Sequence, residues 1–323
     1  MEILVLGCSS VFLRRVVPAL NVCESISKIN IASKSKSFLP VKEIIGEKFG
    51  YWFDSYSAAI DSSCSDLAYI SLPNNLHYLW AKNCLQSGMH VIVEKPATLS
   101  LEDTEYLINL SRRKNLCLAE STVWPFHPNI DLLREHLKLF KDKPVLLEAS
   151  FTMPDFEDNN IRNFPELGGG AFNDLSAYAV SIGRVLFNEN PLSVNGKLNS
   201  YKESNGIDTG FSIDMRFNNN KRIKGIFGFG YDYKNKILIN GSDFMFELNR
   251  VFSPPPDIEL QLKMIIDNKN TSQSIKADAY RNFFELVIKS CNTKEYSKWS
   301  KLLHQDAKLV SKLKPLIIPN QID

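Results

Sequence analysis

What this chain of 323 residues lacks narrows its chemistry. Its six cysteines, Cys8, Cys23, Cys64, Cys84, Cys117 and Cys291, contain no CxxC pair, so neither a zinc knuckle nor a disulfide framework is indicated. They read as reduced thiols and point to a cytoplasmic setting. The five histidines form neither HxxxH nor HxH, and no metal site is expected. With 38 basic and 36 acidic side chains there is no excess charge and no block of one sign, which argues against a nucleic-acid or membrane partner and favours a small molecule. No apolar run reaches membrane length; Ile3–Leu6 is strand-sized and lacks the flanks of a signal peptide. A glycine-rich turn is missing too. After that first run comes Gly7-Cys8-Ser9-Ser10-Val11-Phe12, where the second and third glycines of a GxGxxG turn fall on Ser9 and Phe12.

The residues present suit a soluble two-domain chain, with 44% hydrophobic and 23% charged residues excluding a disordered one. Over residues 1–122, short apolar runs alternate with helical patterns: Ile3–Leu6, Lys28–Ala32, Leu67–Leu72, Met89–Val93 and Leu116–Glu120 as strands, with helices between them. Such alternation implies a doubly wound parallel sheet. Pro18 should bend the first helix or mark an irregularity in it. From about Trp124 the period changes to two, over Val145–Met153, Ile207–Phe217, Arg222–Tyr231, Lys236–Asn240 and Phe244–Leu248. This predicts a second, α+β domain over 123–323 with a large mixed, mostly antiparallel sheet, closed by helices at about 278–290 and 297–312.

The run Val91-Ile92-Val93 ends abruptly in Glu94-Lys95-Pro96. In an open α/β sheet, ligands bind at the carboxyl ends of strands, so a lysine emerging there is well placed for chemistry. Pro96 tolerates a cis bond at a cost of about 0.5–1 kcal/mol and would set the direction in which Lys95 leaves the strand. A strand ending in a solvated Glu-Lys pair fits the same three residues. The end of Lys28–Ala32 carries Ser33 and Lys34 where an acid would bind the ribose of NAD; their character favours the 2′-phosphate of NADP(H), with NAD(H) the other possibility.

Leu72-Pro73-Asn74-Asn75-Leu76-His77, followed by Gly88-Met89-His90-Val91 and Glu94-Lys95-Pro96, resembles the glucose-fructose oxidoreductase, inositol dehydrogenase and MocA family (Gfo/Idh/MocA). Two further stretches resemble it: Glu120–Pro128, with Trp124 and Phe126-His127-Pro128, and Asn160-Ile161-Arg162 followed by Gly168-Gly169-Gly170-Ala171-Phe172-Asn173-Asp174-Leu175-Ser176-Ala177-Tyr178. The resemblance implies a Rossmann domain binding NADP(H) or NAD(H) through Gly7, Cys8, Ser9, Ser10, Val11, Phe12, Ser33, Lys34, Leu72, Pro73, Asn74, His77, Glu94, Lys95 and Pro96. It also implies a second domain that contacts substrate and builds a homodimer or homotetramer. Lys95, Asp174 and Tyr178 match the family's catalytic positions. Tyr178 stands where many members have histidine, as in the sugar-ketoreductase branch. His127 and Arg162 are added substrate contacts.

The chemistry expected is hydride transfer between nicotinamide C4 and a carbinol or ketone carbon of a sugar or nucleotide-sugar, with Tyr178 supplying a proton. A nearby ammonium such as Lys95 would lower the tyrosine pKa. Asp174 would bond a substrate hydroxyl or orient Lys95. Two alternatives stay open: an NADP-dependent dehydrogenase of a free aldose or cyclic diol, and a non-catalytic dinucleotide-binding regulator.

Overall fold

The computed structural model describes residues 1–34 and 38–318. The chain forms two compact units, Met1–Ser121 with Tyr280–Ala307, and Thr122–Ala279 with the chain from Lys308 onward.

The first unit is built on a six-stranded sheet of order β3-β2-β1-β4-β5-β6. Its strands are β1 (Glu2–Leu6), β2 (Lys28–Ala32), β3 (Phe49–Phe53), β4 (Leu67–Ile70), β5 (His90–Val93) and β6 (Leu118–Glu120). All neighbours are parallel, as the alternation of strands and helices requires. Ile3 to Leu6 and Leu67 to Ile70 are wholly buried, which explains why these strands read as unbroken apolar runs: helices cover both faces of the sheet. The edge strand β3 differs, with four aromatic residues in place of buried aliphatic ones. It includes Gly50 and is half-buried or exposed throughout, so periodicity did not reveal it.

After β1 the chain turns into a helix whose opening stretch, Phe12–Val16, is π-wound before it continues as α1 (Val17–Asn21). This is the irregularity expected at Pro18, whose missing N–H breaks the regular ladder. Helices α2 (Phe38–Ile45), α3 (Tyr56–Ser62), α4 (His77–Gln86) and α5 (Leu101–Lys114) complete the alternation.

Near the end of the chain lie α8 (Ala279–Thr293) and α9 (Ser297–Ile317). The expectation of a single boundary at 122/123 is corrected here, because residues 280–307 return to the first unit. The Phe284 ring lies 5.7 Å from that of Tyr69 on β4, and His304 Nε2 is 2.8 Å from Glu105 Oε1 on α5. An apolar stripe tells that a helix is buried on one face, but not against which sheet.

The second unit holds an eight-stranded sheet of order β14-β13-β12-β11-β7-β10-β9-β8. Its members are β7 (Val145–Met153), β8 (Ser193–Lys202), β9 (Ile207–Arg216), β10 (Lys221–Phe229), β11 (Lys234–Asn240), β12 (Phe244–Asn249), β13 (Leu260–Ile266) and β14 (Lys269–Ile275). Only β7 and β10 run parallel within it. Helices α6 (Pro128–Lys138) and α7 (Ala171–Phe187) cover the apolar face. Gly183 of α7 lets the helix close on Phe217, whose ring occupies the place a Cβ would take. On the other face Leu146 and Ile226 are exposed among charged neighbours such as Glu148 and Lys224.

Candidate active site

In the first unit the sheet ladder runs past the strand ends into the turns. Gly7 N donates to Ala32 O (2.8 Å), Ser71 N to Leu6 O (2.9 Å), Ser33 N to Phe53 O (3.0 Å) and Glu94 N to Ile70 O (3.0 Å). The residues expected to meet the cofactor are thereby pinned at one edge, the carboxyl ends of β1, β2, β4 and β5. Gly7 has a φ of +92°, and a Cβ there would overlap the Ser71 carbonyl and lie 2.8 Å from Leu72 Cδ2. Ser9 Oγ accepts from Phe12 N (3.1 Å) and lies 2.6 Å from Ser71 Oγ, so it caps the helix opening as a serine can.

Phe12, in the third glycine position, is fully buried, with its ring 6.1 Å from that of Tyr69 and its N–H held by Ser9. Its ring supports the turn from behind. His77 is buried in the same region. It is 1% exposed, with Nδ1 2.8 Å from Pro96 O and Nε2 2.8 Å from Leu72 O. Burial holds its pKa below the ordinary value, so the neutral ring donates to one of the two carbonyls. Its part is to tie the loop after β4 to the loop after β5.

Glu94 accepts from the Tyr69 hydroxyl and from Lys95 N (3.3 Å). Burial pushes its carboxyl pKa up, while the bond from Tyr69 and the charge of Lys95 draw it back. Lys95 is half-buried, its bond to Pro96 is cis, and Ala97 N donates to Glu120 Oε2 at 2.8 Å. The turn that delivers the lysine is therefore held by Tyr69, Glu94, His77 and Glu120. Of these, Tyr69 was not anticipated; a tyrosine inside an otherwise apolar buried strand was the available signal, since its hydroxyl needs a partner.

A dinucleotide suits this edge. The strand order reverses direction between β1 and β4, the position where such sheets bind a pyrophosphate, and Gly7 at φ +92° lets the chain turn there close against the Ser71 backbone. Leu72, Pro73 and Asn74 follow β4 directly, and Ser10 and Val11 reach the surface beside Ser9. At the end of β2, Ser33 is buried and Lys34 exposed, with Lys34 Nζ 5.8 Å from the centre of the Tyr56 ring. Cys8 hydrogen-bonds to Ser33, and burial pushes its thiol up to about 11, so it stays a neutral lining group. Ser35 and Lys36 of the same loop lie outside the described residues.

In the second unit, α7 carries Asp174 in its first turn and Tyr178 four residues on, so the two share a face. Asp174 is 8% exposed and is gripped by Arg162, with Nε 2.8 Å from Oδ2 and Nη2 3.5 Å from Oδ1. The Arg162 guanidinium also lies 4.6 Å from the centre of the Phe156 ring. The Tyr178 ring is half-buried, edge-on to Phe151 at 5.1 Å and 5.6 Å from Phe252. Phe252 in turn meets Trp124 at 5.5 Å, and Trp124 Nε1 donates to Ser181 Oγ (3.0 Å) on α7.

His127 sits at the start of α6 and is 2% exposed. Its Nδ1 accepts from Asn129 N at 3.2 Å, which leaves the proton of the neutral ring on Nε2, a buried atom with no partner among the described residues. Burial pushes its pKa down to about 4. Sequence reasoning missed Asp208, on β9, whose Oδ2 accepts from Phe172 N at 2.5 Å at the start of α7. No local capping pattern points to it, and burial pushes its pKa up to about 6.

A parallel sheet of this order, with Gly7 turning the chain at its switch point, is the architecture of a dinucleotide-binding unit. Sequence models agree: the oxidoreductase family with an NAD-binding Rossmann fold matches residues 2–122, and the GFO/IDH/MocA C-terminal domain matches residues 142–247. The chain belongs to the GFO/IDH/MocA family of oxidoreductases. It is 30% identical over 254 residues to a dTDP-3,4-didehydro-2,6-dideoxy-alpha-D-glucose 3-reductase of Streptomyces violaceoruber, covering 78% of this chain and 73% of that one. It is 26% identical over 294 residues to D-xylose 1-dehydrogenase (NADP(+)) 2 of Haloferax volcanii, covering 90% and 89%. Among solved structures, KijD10, a 3-ketoreductase from Actinomadura kijaniata in complex with NADP and TDP-benzene, superposes with a TM-score of 0.91 at 24% identity over 98% of both chains.

Proposed function

We propose that this protein is an NADP(H)-dependent ketoreductase that moves a hydride between nicotinamide C4 and a carbinol or ketone carbon of a sugar carried on a nucleotide. The observation that carries the reading is the delivery of Lys95 by β5 to the same sheet edge as the Gly7 turn and the acid-free end of β2. The relatives named as dTDP-sugar 3-reductases support a nucleotide-linked substrate.

When bound, the nicotinamide supplies the hydride, and the protein manages orientation and one proton. Gly7, Cys8, Ser9, Ser10 and Val11 would hold the pyrophosphate side, Ser33 and Lys34 the 2′-phosphate, and Leu72, Pro73, Asn74, Glu94, Lys95 and Pro96 the nicotinamide side. Lys95 stabilises the oxygen as negative charge grows on it. Tyr178 donates its phenolic proton to that oxygen; a cation at the reaction centre favours the phenolate, so the same group serves the reverse direction. Asp174 orients a substrate hydroxyl, and Arg162 fixes the position of its carboxylate. His127 Nε2–H donates to a substrate oxygen. The open face of the second-unit sheet, with Leu146 and Ile226 exposed, suits a homodimer or homotetramer, and the unpaired thiols suit the cytoplasm.

The free-aldose dehydrogenase stands as the second reading, favoured by the similarity to a D-xylose 1-dehydrogenase. Titration with NADPH and NADH, followed by nicotinamide fluorescence, tests the cofactor. Preference for NADPH by tenfold or more, about 1.4 kcal/mol, is expected. NADPH oxidation with a TDP-linked 3-keto sugar, against NADP reduction with free aldoses, then separates the two readings.

A further inference from the structure

Helix α7 begins in an unusual way. The first N–H groups of a helix need acceptors from outside it, and an Asp, Asn, Ser or Thr at the N-cap normally supplies one. Here the N-cap is Gly170, at φ +99° and ψ 152°, with no side chain to offer. The acceptor comes from Asp208, 36 residues further along the chain. Its Oδ2 takes the Phe172 N–H at 2.5 Å.

We propose that Asp208 is a positioning residue for the reaction: its buried carboxylate fixes the first turn of α7 to the sheet and through it sets Asp174 and Tyr178. The proposal rests on the reading of those two residues as the reacting groups.

The glycines show how closely the contact is built. A Cβ on Gly170 would overlap Asp208 Oδ1, so the carboxylate fills the space that only a glycine leaves. On Gly169, a Cβ would lie 2.6 Å from Arg162 O, and the chain bonds there instead, Gly170 N to Arg162 O (3.0 Å) and Gly169 N to Phe164 O (3.0 Å). One short segment is thus clasped between Asp208 and the turn that carries Arg162. That same arginine holds the Asp174 carboxylate.

A local N-cap would tie the helix start only to its own loop. Asp208 ties it to β9, where Asp208 itself pairs with Tyr201 of β8, within an eight-stranded sheet. Keeping an acid that is only 6% exposed disfavours its ionised form; the Phe172 N–H and the positive end of a helix of 17 residues offset this. Tyr178 lies four residues beyond Asp174, about 6 Å along the axis at 1.5 Å per residue. A frayed or shifted first turn displaces both groups, and a misplacement of about 1 Å can slow a reaction about a hundredfold.

The test uses the full chain and the variants Asp208→Ala and Asp208→Asn. For each, kcat and KM with NADPH and a TDP-linked keto sugar, NADPH affinity, folded fraction, and amide exchange at Ala171–Asn173 are measured. Asp208→Ala should lose roughly 10- to 100-fold in kcat per folded molecule, keep NADPH affinity within about twofold, and lose protection at Phe172. Asp208→Asn, whose amide oxygen still accepts from Phe172, should restore kcat to within about fivefold of wild type.

A folded Asp208→Ala protein with wild-type kcat overturns the proposal, because a purely structural role lowers the folded fraction and leaves kcat alone. So does an Asn variant as slow as the Ala variant. Should the Ala variant fail to fold, the Asn variant decides, since lost protection at Phe172 with unchanged kcat refutes positioning. A wild-type chain that binds NADPH and reduces no sugar ketone removes the reaction and the proposal together. Wild-type turnover with an indifferent Asp208→Ala variant removes the proposal alone.

Discussion

Arg162 holds Asp174 with two guanidinium nitrogens, Nε at 2.8 Å from Oδ2 and Nη2 at 3.5 Å from Oδ1, one helical turn before Tyr178. The aspartate side chain is 12% exposed and the arginine 28%, so the pair lies between a surface bridge and a buried one. Arg162→Met should leave an uncompensated carboxylate and destabilise the protein by about 2 kcal/mol, more than Asp174→Asn does. A double-mutant cycle by urea unfolding should return a coupling of about 1–2 kcal/mol. Additive effects would mean that the pair does not hold the first turn of α7.

Lys95 and Tyr178 make the sharpest kinetic prediction. On the proposed mechanism Lys95→Met loses charge stabilisation and Tyr178→Phe loses a proton, so each should reduce kcat by about 10²- to 10⁴-fold. NADPH affinity should change by less than about threefold in Tyr178→Phe, because its substitution leaves the dinucleotide edge of the first unit intact. Fluorescence titration and steady-state kinetics on the same preparations check this. Wild-type kcat in Tyr178→Phe would transfer the proton to another group.

Gly7→Ala probes the turn. At φ +92° a non-glycine residue carries a strain of about 1–3 kcal/mol, and the new methyl meets the Ser71 carbonyl, which the ladder bond from Ser71 N to Leu6 O holds in place. The variant should melt several degrees lower and bind NADPH at least about tenfold more weakly. Wild-type affinity in the alanine variant would mean that the cofactor does not approach this turn.

These predictions draw on positions that were unequally legible in the sequence. The strand runs of the first unit announced themselves because burial on both faces leaves only apolar residues, and β2 and β7 fall on the bounds that periodicity gave. The Glu94-Lys95-Pro96 turn stood out for the same reason, charge following three buried residues, although a solvated Glu-Lys pair fitted the same pattern. Phe12 and His77 show the limit. Their place in a motif suggested cofactor contact; the structure shows both buried behind the turn they support, a packing that the motif does not convey. Asp208 was invisible for another reason, since its partner Phe172 lies 36 residues away and no local capping pattern links them. Residues 280–307 joined the first unit although sequence order suggested the second, because helical amphipathicity carries no address.

Two buried groups of the second unit should set opposite pH slopes on stability. Burial lowers His127 from 6.5 to about 4, so the unfolded chain takes up its proton first; the contribution of His127 is complete above pH 6.5 and is lost as pH falls towards 4. Asp208 is raised from 3.8 to about 6, so its contribution is complete below pH 3.8 and is lost as pH rises through 6. Each shift corresponds to about 3 kcal/mol at about 1.4 kcal/mol per unit, and over the shared window the two nearly cancel. Wild-type urea midpoints should therefore carry little net slope from this pair between pH 4.5 and 6.5. Asp208→Asn should expose the His127 slope and lose stability towards acid relative to wild type, whereas His127→Asn should gain it. Variants that track the wild-type curve in parallel would show that neither group titrates in that window, and that the burial of both is relieved before they change charge.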